Sequence, residues 1–236
     1  MKYVLDSHSH TLASGHAYNT IREMACAAKE KGLELLAITE HAPQMPGTCH
    51  DFYFSNLKVV NRQMCGVELL LGVELNILDT DGNIDLSEDL LKQMDIVIAS
   101  MHTPCYAMGT MEENTRAYLN VMKNPYVNII GHPDDSRYPV DMEALVLGAK
   151  KHGVLLELNN SSLNPMGARQ NARGNDIEML ELCKKHDVSI VIGSDAHTDS
   201  DVGRHDLAWE LIEELNFPEE LIVNRSVSEL KKYLKR

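Results

Sequence analysis

Seven short apolar runs, each followed by a stretch with helical periodicity, constrain this chain more than any other feature. The runs are Tyr3–Leu5, Leu35–Thr39, Leu69–Leu75, Asp95–Ser100, Val127–Ile130, Val154–Leu158 and Val188–Ile192. They are continuous rather than alternating, which is the pattern of parallel strands covered on both faces by helices. Helices are predicted at Asn19–Lys31, stopped by Gly32, then around Leu57–Cys65, and over Glu112–Lys123, Met142–His152, Asp176–His186 and Leu207–Leu215. Ser228–Leu234 reads as a closing helix. Seven such units without a linker predict one α/β domain spanning residues 1–236, built as a closed or nearly closed barrel. An open doubly wound sheet is the alternative. Neither a GxGxxG nor a GxxxxGK phosphate loop is present.

What ends the strands is as informative as the strands. The first runs into Asp6-Ser-His8-Ser-His10, with His16 close behind, and the second ends Thr39-Glu40-His41. The third ends Gly72-Val-Glu74, the fourth Ser100-Met-His102, the fifth Gly131-His132-Pro133 and the seventh Gly193-Ser-Asp195-Ala-His197. In a parallel barrel the C-terminal strand ends meet at one mouth. His8, His10, His16, His41, Glu74, His102, His132, Asp195 and His197 would therefore share one pocket. In His8-x-His10 and Asp195-x-His197 the two-residue spacing points both side chains to one side of extended chain. Imidazole with carboxylate suits zinc, iron or manganese. A catalytic zinc commonly takes three protein ligands, so nine ligands have room for three ions, or two with some in supporting roles. His50, His152, His186 and His205 lack this placement, and His152 and His186 sit at helix ends where imidazolium meets the helix dipole.

Composition narrows the partners. With 22 basic and 35 acidic side chains the net charge is −13, which opposes a general nucleic-acid or anionic-membrane surface. Cys26, Cys49, Cys65, Cys105 and Cys183 form no CxxC pair and read as reduced thiols. No run has the length of a signal peptide or a membrane span, so a soluble, cytoplasmic protein is expected. Oligomeric state is not legible. Two connections are long: Ala42 to Asn56, carrying Phe52, Tyr53 and Phe54 as a lid or, by preference, a cap on the barrel, and Asn159 to Asn175, carrying Arg169 and Arg173.

These motifs together resemble the PHP (polymerase and histidinol phosphatase) superfamily from residue 6 to about residue 197. The segment from Glu157 and the Phe217-Pro218 tail are most similar to the YcdX-like stand-alone phosphatases. The resemblance implies a distorted, TIM-barrel-like (βα)7 barrel and a trinuclear metal site, usually zinc. Carried over, His8, His10 and Asp195 hold one ion, His102 and His132 a second, Glu74 bridges those two, and His16, His41 and His197 hold the third. The implied activity is metal-dependent hydrolysis of small phosphomonoesters by a metal-bridging hydroxide, with Glu74, Asp195 and His197 as catalytic residues. Arg169 and Arg173 are expected to bind the substrate phosphate, ahead of Arg137 and Arg204. Histidinol phosphatase, a 3′-exonuclease and a non-catalytic metal-binding module are the rival readings.

Overall fold

Parallel pairing brings all seven predicted strands into one sheet in the computed structural model, which describes residues 3–234. In chain order the strands are β1 (Leu5–Asp6), β2 (Leu35–His41), β3 (Gln63–Met64), β4 (Val67–Asn76), β5 (Val97–Ser100), β6 (Ile129–Ile130), β7 (Leu155–Asn159) and β8 (Ile190–Gly193). The order across the sheet is β1-β2-β4-β5-β6-β7-β8, every neighbouring pair parallel, with β3 added antiparallel to β4. Just beyond β1 and β8 the sheet meets itself: Ser9 pairs with Ala196, His10 N–H donates to Ala196 O at 2.8 Å, and Asp195 N–H donates to His8 O at 3.0 Å. The result is a seven-stranded parallel barrel, the expected distorted TIM-barrel-like fold.

Helices α1 (Ile21–Glu30), α2 (Asp51–Asn56), α3 (Glu88–Leu91), α4 (Met111–Val121), α5 (Met142–His152), α6 (Ala172–His186), α7 (Asp206–Glu214) and α8 (Val227–Lys231) lie between and after the strands. Their starts are written locally. Thr20 with Glu23 and Thr110 with Glu113 form reciprocal capping boxes, and Asp141 caps α5 through Ala144 N–H. Among the described residues, no helix is long and apolar enough to cross a membrane.

Strand alternation divides the core in two. Leu36, Ile38, Leu69, Leu71, Val73 and Leu75 pack outward under the helices, while Leu5, Leu35, Ala37, Leu70, Ile98, Ile129, Leu155 and Val191 fill the barrel interior. Val223 and Leu230, from the C-terminal segment, join the interior set. Asn224 stitches the seam there, bonding Leu5 O, Ile192 O and Ile192 N–H. With one end filled by hydrocarbon, the polar ends of the strands are left at the other.

Three expectations change. The helix around Leu57–Cys65 is instead a 3-10 turn, Leu57–Val59, followed by the β3–β4 hairpin. Cys65 and Gly66, both at positive φ (51° and 81°), make the two-residue turn that such a hairpin requires, which no helix accommodates. Helix α2 falls inside the stretch expected as loop. The cysteines are not all reduced: Cys26 of α1 and Cys65 of the hairpin turn form a disulfide across a sequence separation of 39 residues, with Cα atoms 5.2 Å apart. Spacing alone does not show that the turn lies against α1. Cys49, Cys105 and Cys183 are free.

Candidate metal centre

The inward-facing alternation of each strand turns from apolar to polar toward one end of the barrel. On β4 it reads Leu70, Gly72, Glu74, Asn76; on β7 Leu155, Glu157, Asn159; on β8 Val191, Gly193, with Asp195 following. His8, His10, His41, Glu74, His132 and Asp195 are buried, His102 and His197 are half-buried, and His16 is exposed at the rim. All nine expected ligands meet at this mouth.

Four donor atoms crowd together at the centre of the mouth. His8 Nε2 lies 3.1 Å from His10 Nε2, 3.5 Å from Glu74 Oε2 and 3.7 Å from Asp195 Oδ1. His10 Nε2 lies 3.6 Å from Glu74 Oε2 and 3.3 Å from Asp195 Oδ1. Ligand atoms about 2.0–2.1 Å from one tetrahedral zinc are about 3.3–3.4 Å apart, so these spacings fit an ion of that size. Glu74 turns its other oxygen away: Oε1 is 2.9 Å from His132 Nε2 and 3.2 Å from His102 Nε2. A third group is made of imidazoles. One nitrogen each of His10, His41 and His197 lies within 4.8 Å of the others, and His16 Nε2 is 3.2 Å from His41 Nε2. His41 Nδ1 and Glu74 Oε2 are 2.7 Å apart, yet both are buried without a hydrogen-bond partner. Buried polar atoms converging without bonding one another fit a cation, because burial without a partner is otherwise costly.

Side chains behind the ligands orient them. His8 Nδ1–H donates to Glu157 Oε1 at 2.8 Å, His102 Nδ1–H to Asn76 Oδ1 at 2.8 Å, and His197 Nδ1–H to the Asp195 carbonyl at 2.9 Å. Glu157 Oε2 also accepts from His132 N–H and from Asn159 Nδ2. Gly193 makes room for this, since a Cβ there would stand 2.0 Å from Glu157 Oε1. His132 (φ 30°) and Asp195 (φ 54°) hold left-handed backbone that costs non-glycine residues energy, strain of the kind that collects at functional sites.

The electrostatics suit ligation. Burial raises the Asp195 carboxyl, but His8, a hydrogen bond from His10 and the Arg169 guanidinium outweigh it and hold it well below the usual range. Glu74 is likewise held well below by His102, His8 and His41 against the effect of burial. Burial and the neighbouring His41 and His197 hold His10 well below the ordinary imidazole value, and lower His16 in the same way. His8 goes up instead: Glu157, Glu74 and Asp195 overcome its burial.

A match to the PHP domain covers residues 6–216. The chain belongs to the PHP family. A probable phosphatase of Clostridium novyi is 50% identical over 235 residues, covering 100% of this chain and 96% of the relative. A probable phosphatase of Acetivibrio thermocellus is 45% identical over 237 residues, 100% and 97% covered. The histidinol phosphate phosphatase of Lactococcus lactis, solved with zinc, L-histidinol and phosphate, shares the fold at a TM-score of 0.63 and 19% identity, covering 92% of this chain and 95% of that one.

The mouth of this PHP barrel opens into a cleft of about 320 Å³ lined by His16, His41, Glu74, His102, His132, Asp195 and His197 together with Arg137 and Arg169. Arg169 Nη2 donates to Asp195 Oδ2 at 3.1 Å, and Nη1 donates to Ser162 Oγ at 3.0 Å and Asn159 Oδ1 at 3.4 Å. Arg173 is not part of the cleft. Helix α6 begins at Ala172, four residues earlier than expected, and carries Arg173 to an exposed ion pair with Glu214. Arg137 lines the cleft, held by Asp135 through Nε at 2.8 Å, whereas Arg204 pairs with Asp201 and Asp206 elsewhere. Phe54 is buried in the outer core, Phe52 is exposed, and neither lines the cleft. His186 pairs with Glu143 at the end of α6. The supporting roles of Asn76, Glu157 and Glu40 were not read from the sequence, although Glu40 and Glu157 stand in its motifs. The inward alternation Leu155-x-Glu157 carried a readable signal for the second of them.

Proposed function

We propose that this PHP chain is a metal-dependent phosphatase acting on small phosphomonoesters, with three ions held by its nine ligands. The observation that carries the reading is the convergence of seven imidazoles and two carboxylates on one mouth, with donor spacings that fit zinc. In the proposed grouping His8, His10 and Asp195 hold one ion, His102 and His132 another, Glu74 lies between them, and His16, His41 and His197 hold the third. Zinc is the expected ion, with manganese or iron compatible with the same donors. When bound, such ions neutralise phosphate charge and supply a water-derived nucleophile at neutral pH.

The chain's own residues do the rest. Glu74 and Asp195 place carboxylate charge among the imidazoles, where it would offset the charge of the bound ions. His197, half-exposed at the rim, stands beside the entering substrate. Arg169 presents a guanidinium at the wall of the cleft, anchored so that little freedom remains to be lost on binding phosphate. A cleft of this volume suits a small ester better than a strand of nucleic acid, which would also have to cross an acidic surface.

The test uses one metal-analysed preparation on an aryl phosphate, a panel of metabolite phosphates including histidinol phosphate, and labelled single-stranded DNA. Chelator-sensitive monoesterase activity restored by zinc or manganese is expected. Chelator-sensitive DNA digestion without monoesterase activity would replace this reading with the nuclease.

A further inference from the structure

We propose that Ser14 and Glu40 form a hydrogen-bond relay that decides which nitrogen of His10 faces the metal centre, with Tyr53 of α2 holding its outer end. Glu40 lies on the outward alternation of β2 and is 0% exposed, although the outward residues before it on the strand, Leu36 and Ile38, are hydrocarbon. It accepts from Thr11 N–H at 3.0 Å, from the Thr11 hydroxyl, from Ser14 Oγ at 2.6 Å and from Tyr53 OH at 3.3 Å. A charged side chain buried with this many donors is built to hold something in place.

Ser14 determines the direction of the relay. Its hydroxyl has one proton and two lone pairs. His41 N–H, which can only donate, takes one lone pair at 3.0 Å. Glu40 Oε2 at 2.6 Å takes the proton, since two oxygens without a proton between them would repel at that distance. Only a lone pair then remains for His10 Nδ1 at 3.1 Å. His10 must therefore carry its proton on Nδ1 and turn the Nε2 lone pair toward His8, Glu74 and Asp195. Both hydroxyl lone pairs serve ligands, the side chain of His10 and the backbone of His41. Ser14 and Glu40 are positioning residues, and they act before any substrate arrives. The Tyr53 hydroxyl ties the outer end of the relay to α2.

The inference rests on the metal-site reading, and the experiment separates the two. Wild type, Ser14→Ala, Glu40→Gln and the double variant are stripped and titrated with cobalt(II) and zinc against a competing chelator, alongside the cobalt visible spectrum and thermal unfolding. Removing supports of this kind weakens metal by about tenfold to a hundredfold. A loss of that size for at least one ion is expected in both single variants, with an altered cobalt spectrum. The double variant should be no worse than Ser14→Ala, because both changes cut one relay. Folded single variants that bind with wild-type affinity and spectrum, or additive losses in the double variant, overturn the relay. If Ser14→Ala does not fold, Glu40→Gln decides by the same two readouts, since it keeps the shape and removes the charge. Wild-type protein that takes up no metal overturns the metal reading itself.

Discussion

Replacing Glu74 by glutamine tests the centre at its middle. One oxygen faces His102 and His132 at 3.2 and 2.9 Å, and the other faces His8, His10 and His41 at 3.5, 3.6 and 2.7 Å. Glutamine keeps the volume but must turn its NH2 toward one of these groups, setting a donor where a ligand oxygen stood. It also removes the charge that both sides share. Two unit charges 4 Å apart interact by about 4 kcal/mol at the effective dielectric of a protein site. Allowing up to half of that for relaxation leaves about 2–4 kcal/mol per ion, or roughly a thirtyfold to thousandfold loss of affinity. Chelator competition reads the affinity, elemental analysis after gel filtration reads the ions per chain, and aryl phosphate hydrolysis reads activity. Two metal positions should weaken together. A folded variant that keeps its full complement at wild-type affinity refutes the bridging role, and weakening of one ion alone refutes the sharing.

Arg169→Ala should lower kcat/KM by about tenfold to a hundredfold, the worth of charge-assisted hydrogen bonds, whereas Arg173→Ala, cutting only an exposed pair with Glu214, should leave it near wild type; equal losses in the two would return Arg173 to the site. Asp176 and Asp134 are buried together, and burial followed by their mutual charge pushes the Asp176 carboxyl well above its usual value. A raised folded-state value means stability present at low pH and lost as pH rises, so Asp176→Asn should raise Tm more at pH 8 than at pH 5.5, and a pH-independent change would contradict this. His8, held above the ordinary imidazole value by Glu157, Glu74 and Asp195, keeps a proton that an incoming ion displaces. Metal uptake near neutral pH should therefore release protons, with affinity and activity falling below about pH 6; calorimetry in buffers of different ionisation enthalpy checks the proton count.

The strands were legible because burial on both faces leaves continuous apolar runs, and each of the seven predicted runs overlaps a strand of the barrel. The ligands were legible for a related reason. A polar residue ending such a run has no packing role, and six runs ended that way. The region from residue 51 to residue 66 was not legible, because its structure depends on a two-residue turn at Cys65-Gly66 and on Arg62, whose Nη1 donates to Leu57 O and Val60 O. No hydrophobic period reports either. The Cys26–Cys65 bridge is hidden for the same reason, since it follows from where that turn lands.

The substrate side was legible only in part, and the reason is geometric. A ligand's place follows from the strand it ends, whereas an arginine's place depends on where the next helix starts. With α6 starting at Ala172, Arg169 stays in the loop and reaches Asp195, while Arg173 lies in the first turn of the helix and meets Glu214. Four residues separate cleft from outer surface, and no propensity at Asn171 announces the boundary, since its side chain makes no cap. Glu40 was overlooked through the opposite fault. Standing beside His41, it read as part of a ligand motif, although alternation along β2 sends the two side chains to opposite faces. A charged residue on the helix-covered face of a barrel strand has to be explained by what it accepts from, and here the donors come from the residues after His10 and from α2. The metal centre is thus held from inside the barrel by Glu157, Asn76 and Asn159, and from outside by Glu40 through Ser14.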